Sequence, residues 1–335
     1  MSDNAKNIFE KREAHSRSKL TALRSQLSKL RELKDFPTLT IFGAGSYARH
    51  EASEYSDIDL FFILGGKKED VADIRTNSHR LFGRIIDIVD GMGFPKLSND
   101  CEYLKLLPTS DIVSNLGAPI DDHENYFTAR MLLLLESQCL YGDEAYKTIC
   151  SEIVNSYFKD FPDHQETFQP TFLLNDICRF WKTLLLNYES KRNVPPGREG
   201  IEARRLKQKV RNFKLKYSRM TTCYASIAAL GSHLAPVNES QVLELILQTP
   251  RERLLSVAER VPETRPMVEA VLEGYAWFLE KTGLPTDKLE AQFSDKEKRI
   301  EMFNQAKKFG DTMFELLREI DRTDSRRRLL RVLVI

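Results

Sequence analysis

No apolar run in the sequence approaches the roughly 18 to 20 residues that a helix needs to cross a bilayer; the densest is Met131 to Leu135. Cysteine is sparse: Cys101, Cys139, Cys150, Cys178 and Cys223 are odd in number and contain no Cys-x-x-Cys pair. That pattern suits reduced thiols in a cytoplasmic protein better than a disulfide framework or a zinc site. The six histidines show no metal-binding spacing. Charge of one sign is also missing, since 50 Lys and Arg face 49 Asp and Glu. General affinity for nucleic acid or membrane is therefore not expected, and any basic site must be local. The opening MSDNAKNIFEKREAH mixes acids with bases and has no apolar core, so no secretory signal is expected. What is present, 335 residues that are 41% hydrophobic, is enough for one large core or two modest ones.

Three regions follow from the pattern, at residues 1–36, 37–125 and 126–335. Asn7 to about Leu33 is charged, lacks Gly and Pro, and places Leu20, Leu23, Leu27 and Leu30 on one face, which predicts an amphipathic helix. The stripe can pack on its own domain or form a dimer seam. Thr38 to Phe42 and Asp57 to Leu64 read as strands, Glu69 to about Met92 as a helix, and Cys101 to Leu107 as a third strand. From Phe127 on, glycine is scarce and helical spacings succeed one another: 127–140, 143–158, 173–188, 202–217, 240–247, 251–261, 264–282 and 296–322. Phe303, Phe309 and Phe314 are expected to fill the core of the last helix. The tail from Arg326 reads as an edge strand or a docked segment.

The chemistry concentrates in GAGSYARHEASEYSDIDLFFI, residues 43–63. In a strand, positions i and i+2 share a side, so Asp57 and Asp59 present two carboxylates together while Ile58 and Leu60 face the other way. Carboxylate oxygens without nitrogen or sulfur ligands favour Mg²⁺ or Mn²⁺, and Mg²⁺ commonly joins such a pair to substrate phosphates. Gly43 and Gly45 allow backbone N–H groups to approach an anion, with Ser46 where a helix begins. Ten residues separate Ser46 from Asp57, enough for a short helix and a return to the adjacent strand. A plain turn, with Ser and Asp side chains bonding nearby backbone, is the bland alternative. A glycosyltransferase Asp-x-Asp is another, but it leaves the upstream Gly-Ser without a purpose.

A strand, Gly-Ser, ten residues and Asp-x-Asp resemble the nucleotidyltransferase superfamily that includes DNA polymerase beta. Within it, Gly-Ser-Tyr-Ala-Arg-His-Glu ahead of Ser-Asp-Ile-Asp-Leu is most similar to the catalytic domain of PII uridylyltransferases, whose pattern is Gly-Gly-Tyr-Gly-Arg-Gly-Glu. Here Ser46, Ala48 and His50 replace three of those glycines. The specific resemblance covers residues 38–64, with a looser match to about 150. It implies an α+β fold, a polymerase beta-like domain with a mixed sheet followed by an α-helical domain. It also implies a third carboxylate on a later strand, for which Glu102 fits best and Asp87 competes. Gly45, Ser46 and Arg49 are then nucleotide-binding candidates beside the catalytic and metal-binding Asp57, Asp59 and Glu102. The phosphohydrolase and regulatory modules of the uridylyltransferases have no counterpart.

Two basic stretches in the second half complete the candidates. Arg179 and Lys182 lie three apart beside Phe180 and Trp181, and the helix Glu202 to Tyr217 carries Lys207 and Lys214 on one flank of an apolar stripe. Similar segments in related nucleotidyltransferases draw attention to Lys214, Ser218 and Arg219 as triphosphate ligands. A solvated basic face is the alternative, and the eight bases between Arg204 and Arg219 suit RNA phosphates as well. The expected activity is metal-dependent transfer of a nucleoside monophosphate from a nucleoside triphosphate to an acceptor hydroxyl, in a cleft between the two domains. Acceptors open to this chemistry are a protein, a nucleotide or RNA end, and a small molecule, with protein favoured by analogy alone. A silent nucleotide- or protein-binding module is the non-enzymatic alternative. No membrane partner is expected, and the oligomeric state is open.

Overall fold

The computed structural model describes residues 1–66, 75–95, 97, 103–193, 200–324 and 328–334. The chain divides into two compact units: Lys11–Phe168 with Pro236–Thr249, and Met1–Glu10 with Gln169–Ala235 and Pro250–Ile335. Among the described residues, no helix is long and apolar enough to cross a membrane.

The first unit is built on a mixed four-stranded sheet. Helix α1 (Asp3–Leu27), which joins this unit from Lys11 on, ends earlier than expected, and a 3₁₀ turn at Arg31–Asp35 leads into β1 (Leu39–Ala44). The single turn α2 (Gly45–Ala48) precedes β2 (Asp59–Leu64), α3 (Arg75–Gly91), β3 (Leu106–Pro108) and α4 (Thr109–Ser114). Then come α5 (Pro119–His123), α6 (Tyr126–Leu135), β4 (Gln138–Tyr141) and α7 (Asp143–Asn155). The strand order is β3-β2-β1-β4. β1 is antiparallel to both neighbours, and β2 and β3 run parallel.

All six β1 residues are buried, so its sequence is apolar on both faces except for Thr40, whose hydroxyl donates to the Tyr141 carbonyl at 3.0 Å. On one face Leu39, Ile41, Leu60, Phe62 and Leu64 pack with Leu20, Leu23 and Leu27 of α1 and with Leu81, Phe82, Ile85 and Val89 of α3. The leucine stripe of α1 is thus consumed in its own unit's core. On strand positions of the opposite parity, the rings of Phe42 and Phe61 stack at 5.3 Å, and Tyr103 lies 4.8 Å from Phe61.

The helix expected over 127–140 stops at Leu135, and Gln138–Tyr141 form the outer strand beside β1. Glu136 turns inward to an arginine, and the Ser137 hydroxyl donates to the Leu133 carbonyl at 2.6 Å. These contacts end the helix without Gly or Pro. Gly142 then turns in the left-handed region at φ +76°, where a Cβ would overlap the Leu39 carbonyl. Beneath the sheet unit's helices, the fully buried Arg130 forks onto Asp121 at 2.9 and 2.7 Å and donates to Tyr157 Oη and the Ile112 carbonyl. A buried guanidinium is tolerated because its donors are engaged.

The second unit is helical. α8 (Thr171–Asn193) is followed by α9 (Ile201–Lys214), a π-helical turn (Leu215–Arg219) and α10 (Met220–Gly231). α11 (Glu239–Ile246) belongs to the sheet unit, capped by Asn238 and packed on α6 and α7. α12 (Pro250–Arg260), α13 (Arg265–Thr282), α14 (Thr286–Ser294), α15 (Lys296–Thr323) and α16 (Arg328–Val334) complete the chain. Phe213 is the hub of the aromatic core, with Tyr217, Phe278 and Phe293 rings at 5.1, 5.6 and 5.4 Å. Phe309 joins this core 4.5 Å from Tyr217, whereas Phe314, expected inside, is 53% exposed and lies against Arg318. The tail is a helix rather than an edge strand. Its Leu329 is buried so closely over Gly231 that a Cβ there would collide with it.

Candidate active site

The glycine turn and the paired acids meet because β1 and β2 are antiparallel. Ala44, the last residue of β1, lies opposite Asp59, the first of β2, so the chain leaves one strand where the other begins. Gly45 has φ +71°, and a Cβ built on it would stand 2.7 Å from Asp59 Oδ2. The glycine therefore serves twice, by taking a left-handed conformation and by admitting the carboxylate against the backbone. Ser46 is half-buried at the start of α2, where the Glu51 N–H donates to its carbonyl at 2.8 Å.

Around the acids, Ile58 and Leu60 are buried, Asp59 is half-buried and Asp57 is exposed. The strand expected from Asp57 starts only at Asp59, so the two acids flank the buried Ile58 at the entry to β2. Burial, with Asp57 adding to it, pushes the Tyr47 hydroxyl up to about 12, so this tyrosine stays protonated beside the acids at neutral pH. Its ring meets Phe94 edge-on at 5.3 Å.

Arg49, expected at the nucleotide, is placed inside the protein. Its Nε donates to Glu51 Oε2 at 2.7 Å and its Nη1 to Glu136 Oε2 at 2.5 Å, with all three side chains nearly inaccessible. Its position makes it an anchor that ties the glycine turn to the start of β4. Glu136 was not legible as part of this region, because it is 87 residues away in sequence and follows an apolar helix. His50, the next residue, holds φ +59°. Glycine takes that left-handed backbone without the steric cost that the histidine side chain meets there.

Asp87 is a 74% exposed residue on α3, 4.0 Å from Arg84 and turned to solvent. Glu102 lies outside the described residues. Among the described residues no group of three or more His, Cys, Asp or Glu could hold a metal ion. Asp57 and Asp59 stand two residues apart where β2 begins, and carboxylate oxygens are the donor chemistry that hard divalent cations take.

Lys214, Ser218 and Arg219 belong to the helical unit. Lys214 is the exposed last residue of α9, while Ser218 and Arg219 lie half-buried in the π turn. The Ser218 hydroxyl donates to the Lys214 carbonyl at 3.0 Å, partnering a carbonyl in the widened turn. On α8, Arg179 is 3.4 Å from Asp176, Phe180 is buried and Trp181 meets Tyr224 edge-on at 5.8 Å.

Residues 23–115 match the nucleotidyltransferase domain family, a segment that holds the glycine turn, both strand acids and β3. The chain thus carries a nucleotidyltransferase domain on an α+β scaffold, which makes it a transferase enzyme of that class. No curated protein matches the chain.

Proposed function

We propose that the chain moves a nucleoside monophosphate from a nucleoside triphosphate to an acceptor hydroxyl, using Mg²⁺ or Mn²⁺ held by Asp57 and Asp59. The observation that supports this reading is the 2.7 Å between Asp59 Oδ2 and the Cβ position of Gly45, a carboxylate close to a backbone that has no side chain to bar a phosphate. When bound, the cation lowers the acceptor hydroxyl's pKa and balances charge on the departing pyrophosphate. Asp57 and Asp59 hold it, and Gly45 and Ser46 orient the triphosphate for in-line attack at the α-phosphorus. Glu102 is proposed as the third carboxylate. Lys214, Ser218 and Arg219 are proposed as triphosphate ligands on their chemistry, two cations and a hydroxyl. The likeness to PII uridylyltransferases favours a protein hydroxyl as acceptor.

The test uses each labelled triphosphate with Mg²⁺ or Mn²⁺ and separate candidate acceptors. Transfer should depend on metal and vanish in Asp57→Asn and Asp59→Asn while circular dichroism is unchanged. Metal-dependent transfer at wild-type rate in either variant overturns the assignment, and an active Glu102→Gln removes Glu102 from it.

A further inference from the structure

The helical unit carries a charge pattern outside the segment matched by the nucleotidyltransferase family. From Ala203 to Asn238 there is no acidic residue, and half of the sixteen positions from Arg204 to Arg219 are Lys or Arg, in a chain of net charge +1. Helical spacing sorts these cations. Leu206, Val210, Phe213 and Tyr217 fall at i, i+4, i+7 and i+11, and the last three are buried. Arg205, Lys209, Asn212 and Lys216 repeat the same spacing one residue earlier, so they form a parallel stripe along the edge of the anchored face. Arg205 is exposed and the other three are half-buried. Among the described residues none of these three cations enters an ion pair.

Ion pairs with acids would have neutralised the stripe, and among the described residues none forms. From Arg205 to Asn212 the stripe follows α9 for about 10 Å at 1.5 Å per residue, and Lys216 follows it in the π turn. We infer that it binds the phosphate backbone of a single-stranded nucleic acid. A spaced series of cations along one helix edge suits a regular polyanion, with one phosphate to each. A membrane surface is a poorer fit, because interfacial helices turn their apolar face to the lipid, whereas the apolar stripe here is packed into the protein core. The aromatic side chains of the segment, Phe213 and Tyr217, are buried and offer no base a stacking surface. Binding is therefore independent of base sequence and sensitive to salt.

The experiment needs no catalysis, so it stands apart from the transfer reading. A fluorescent single-stranded RNA of about 20 nucleotides, and DNA of the same sequence, are titrated with the full chain by anisotropy from about 50 to 200 mM salt. Three phosphate contacts on a single strand predict a slope of about −2 in log K against log salt. Arg205→Ala/Lys209→Ala/Lys216→Ala should weaken binding about tenfold at low salt and flatten that slope. Lys307→Ala/Lys308→Ala, on exposed positions of α15, should bind as wild type. The triple glutamine variant, which keeps the side-chain length, repeats the measurement should the alanine variant fold poorly. Equal affinity for both strands, or a preference for RNA through its 2′-hydroxyl, upholds the assignment. Three results overturn it: no binding of either strand at low salt, a folded triple variant that binds as wild type, or tighter binding of an acidic peptide or anionic vesicles through the same stripe.

Discussion

Replacing Gly45 with alanine adds one methyl group where the structure has no room for it. The left-handed φ of +71° makes the substitution cost about 1–2 kcal/mol through the backbone alone. The second effect acts on Asp59, whose Oδ2 would stand 2.7 Å from the new carbon, whereas ordinary contact begins at 3.4 Å. The backbone of Asp59 is pinned by its pairing with Ala44, so the carboxylate itself must retreat, by about 0.7 Å. Metal–ligand distances tolerate shifts of only about 0.2 Å, and a misplacement near 1 Å costs on the order of 100-fold in rate. Gly45→Ala should therefore lose about 100-fold in metal-dependent transfer while unfolding only 1–2 kcal/mol more easily. The control is Gly43→Ala, whose Cβ would meet Leu140, Ile58 and Leu20 at ordinary contact distances of 3.4–3.8 Å. Calorimetric titration with Mn²⁺ and a non-hydrolysable triphosphate, paired with urea melts, separates binding from stability. If Gly45→Ala binds the metal and triphosphate as wild type does, Asp59 is not part of a cation site against this turn.

His50 holds a left-handed backbone, so His50→Gly should be more stable than His50→Ala by about 1 kcal/mol, reversing the usual order of the two residues. Urea midpoints of the two variants measure this, and equal midpoints would remove the strain. Burial first, then the neighbouring Arg260, holds the His233 imidazole down to about 4, and Arg260 Nη1 donates to its Nε2 at 2.6 Å. Because the folded pKa lies below the ordinary 6.5, the unfolded chain takes the proton first, and the stability present above that pH is lost as pH falls toward 4. His233→Gln should flatten that acid limb in urea melts between pH 7 and pH 4; an unchanged limb refutes the contribution.

Although the strand expected from Asp57 begins only at Asp59 and buries five of its six residues, the meeting of the glycine turn with the acids was legible, because both lie in one short segment. The fourth strand was not. Met131 to Leu135 sets a helical rhythm that Gln138 to Tyr141 do not visibly break, and the residue that ends the helix, Glu136, acts through a buried partner far off in sequence. The role of Arg49 was hidden for the same reason, since an arginine beside a phosphate motif looks like a phosphate ligand until its two carboxylates are seen. The π turn at Leu215–Arg219 also escaped the pattern, because one extra residue in a helical turn leaves the apolar spacing on either side intact.

Strand β1 accepts its outer neighbour, β4, from residues 138–141, beyond the end of the matched segment at residue 115, and α11 reaches the same unit only at residues 239–246. During synthesis, a nascent chain released as far as β2 exposes one bare edge of β1 and goes on exposing it until Tyr141 has left the ribosome. At roughly 5–20 residues per second, the delay between Ala44 and Tyr141 is about 5–20 seconds. An unpaired, largely apolar strand edge recruits other strands for as long as it lasts. A shortened gene ending near residue 115 would make that interval permanent, and one ending near Thr249 would leave Gln169–Ala235 without Pro250–Ile335, so only boundaries that enclose both units are expected to escape aggregation.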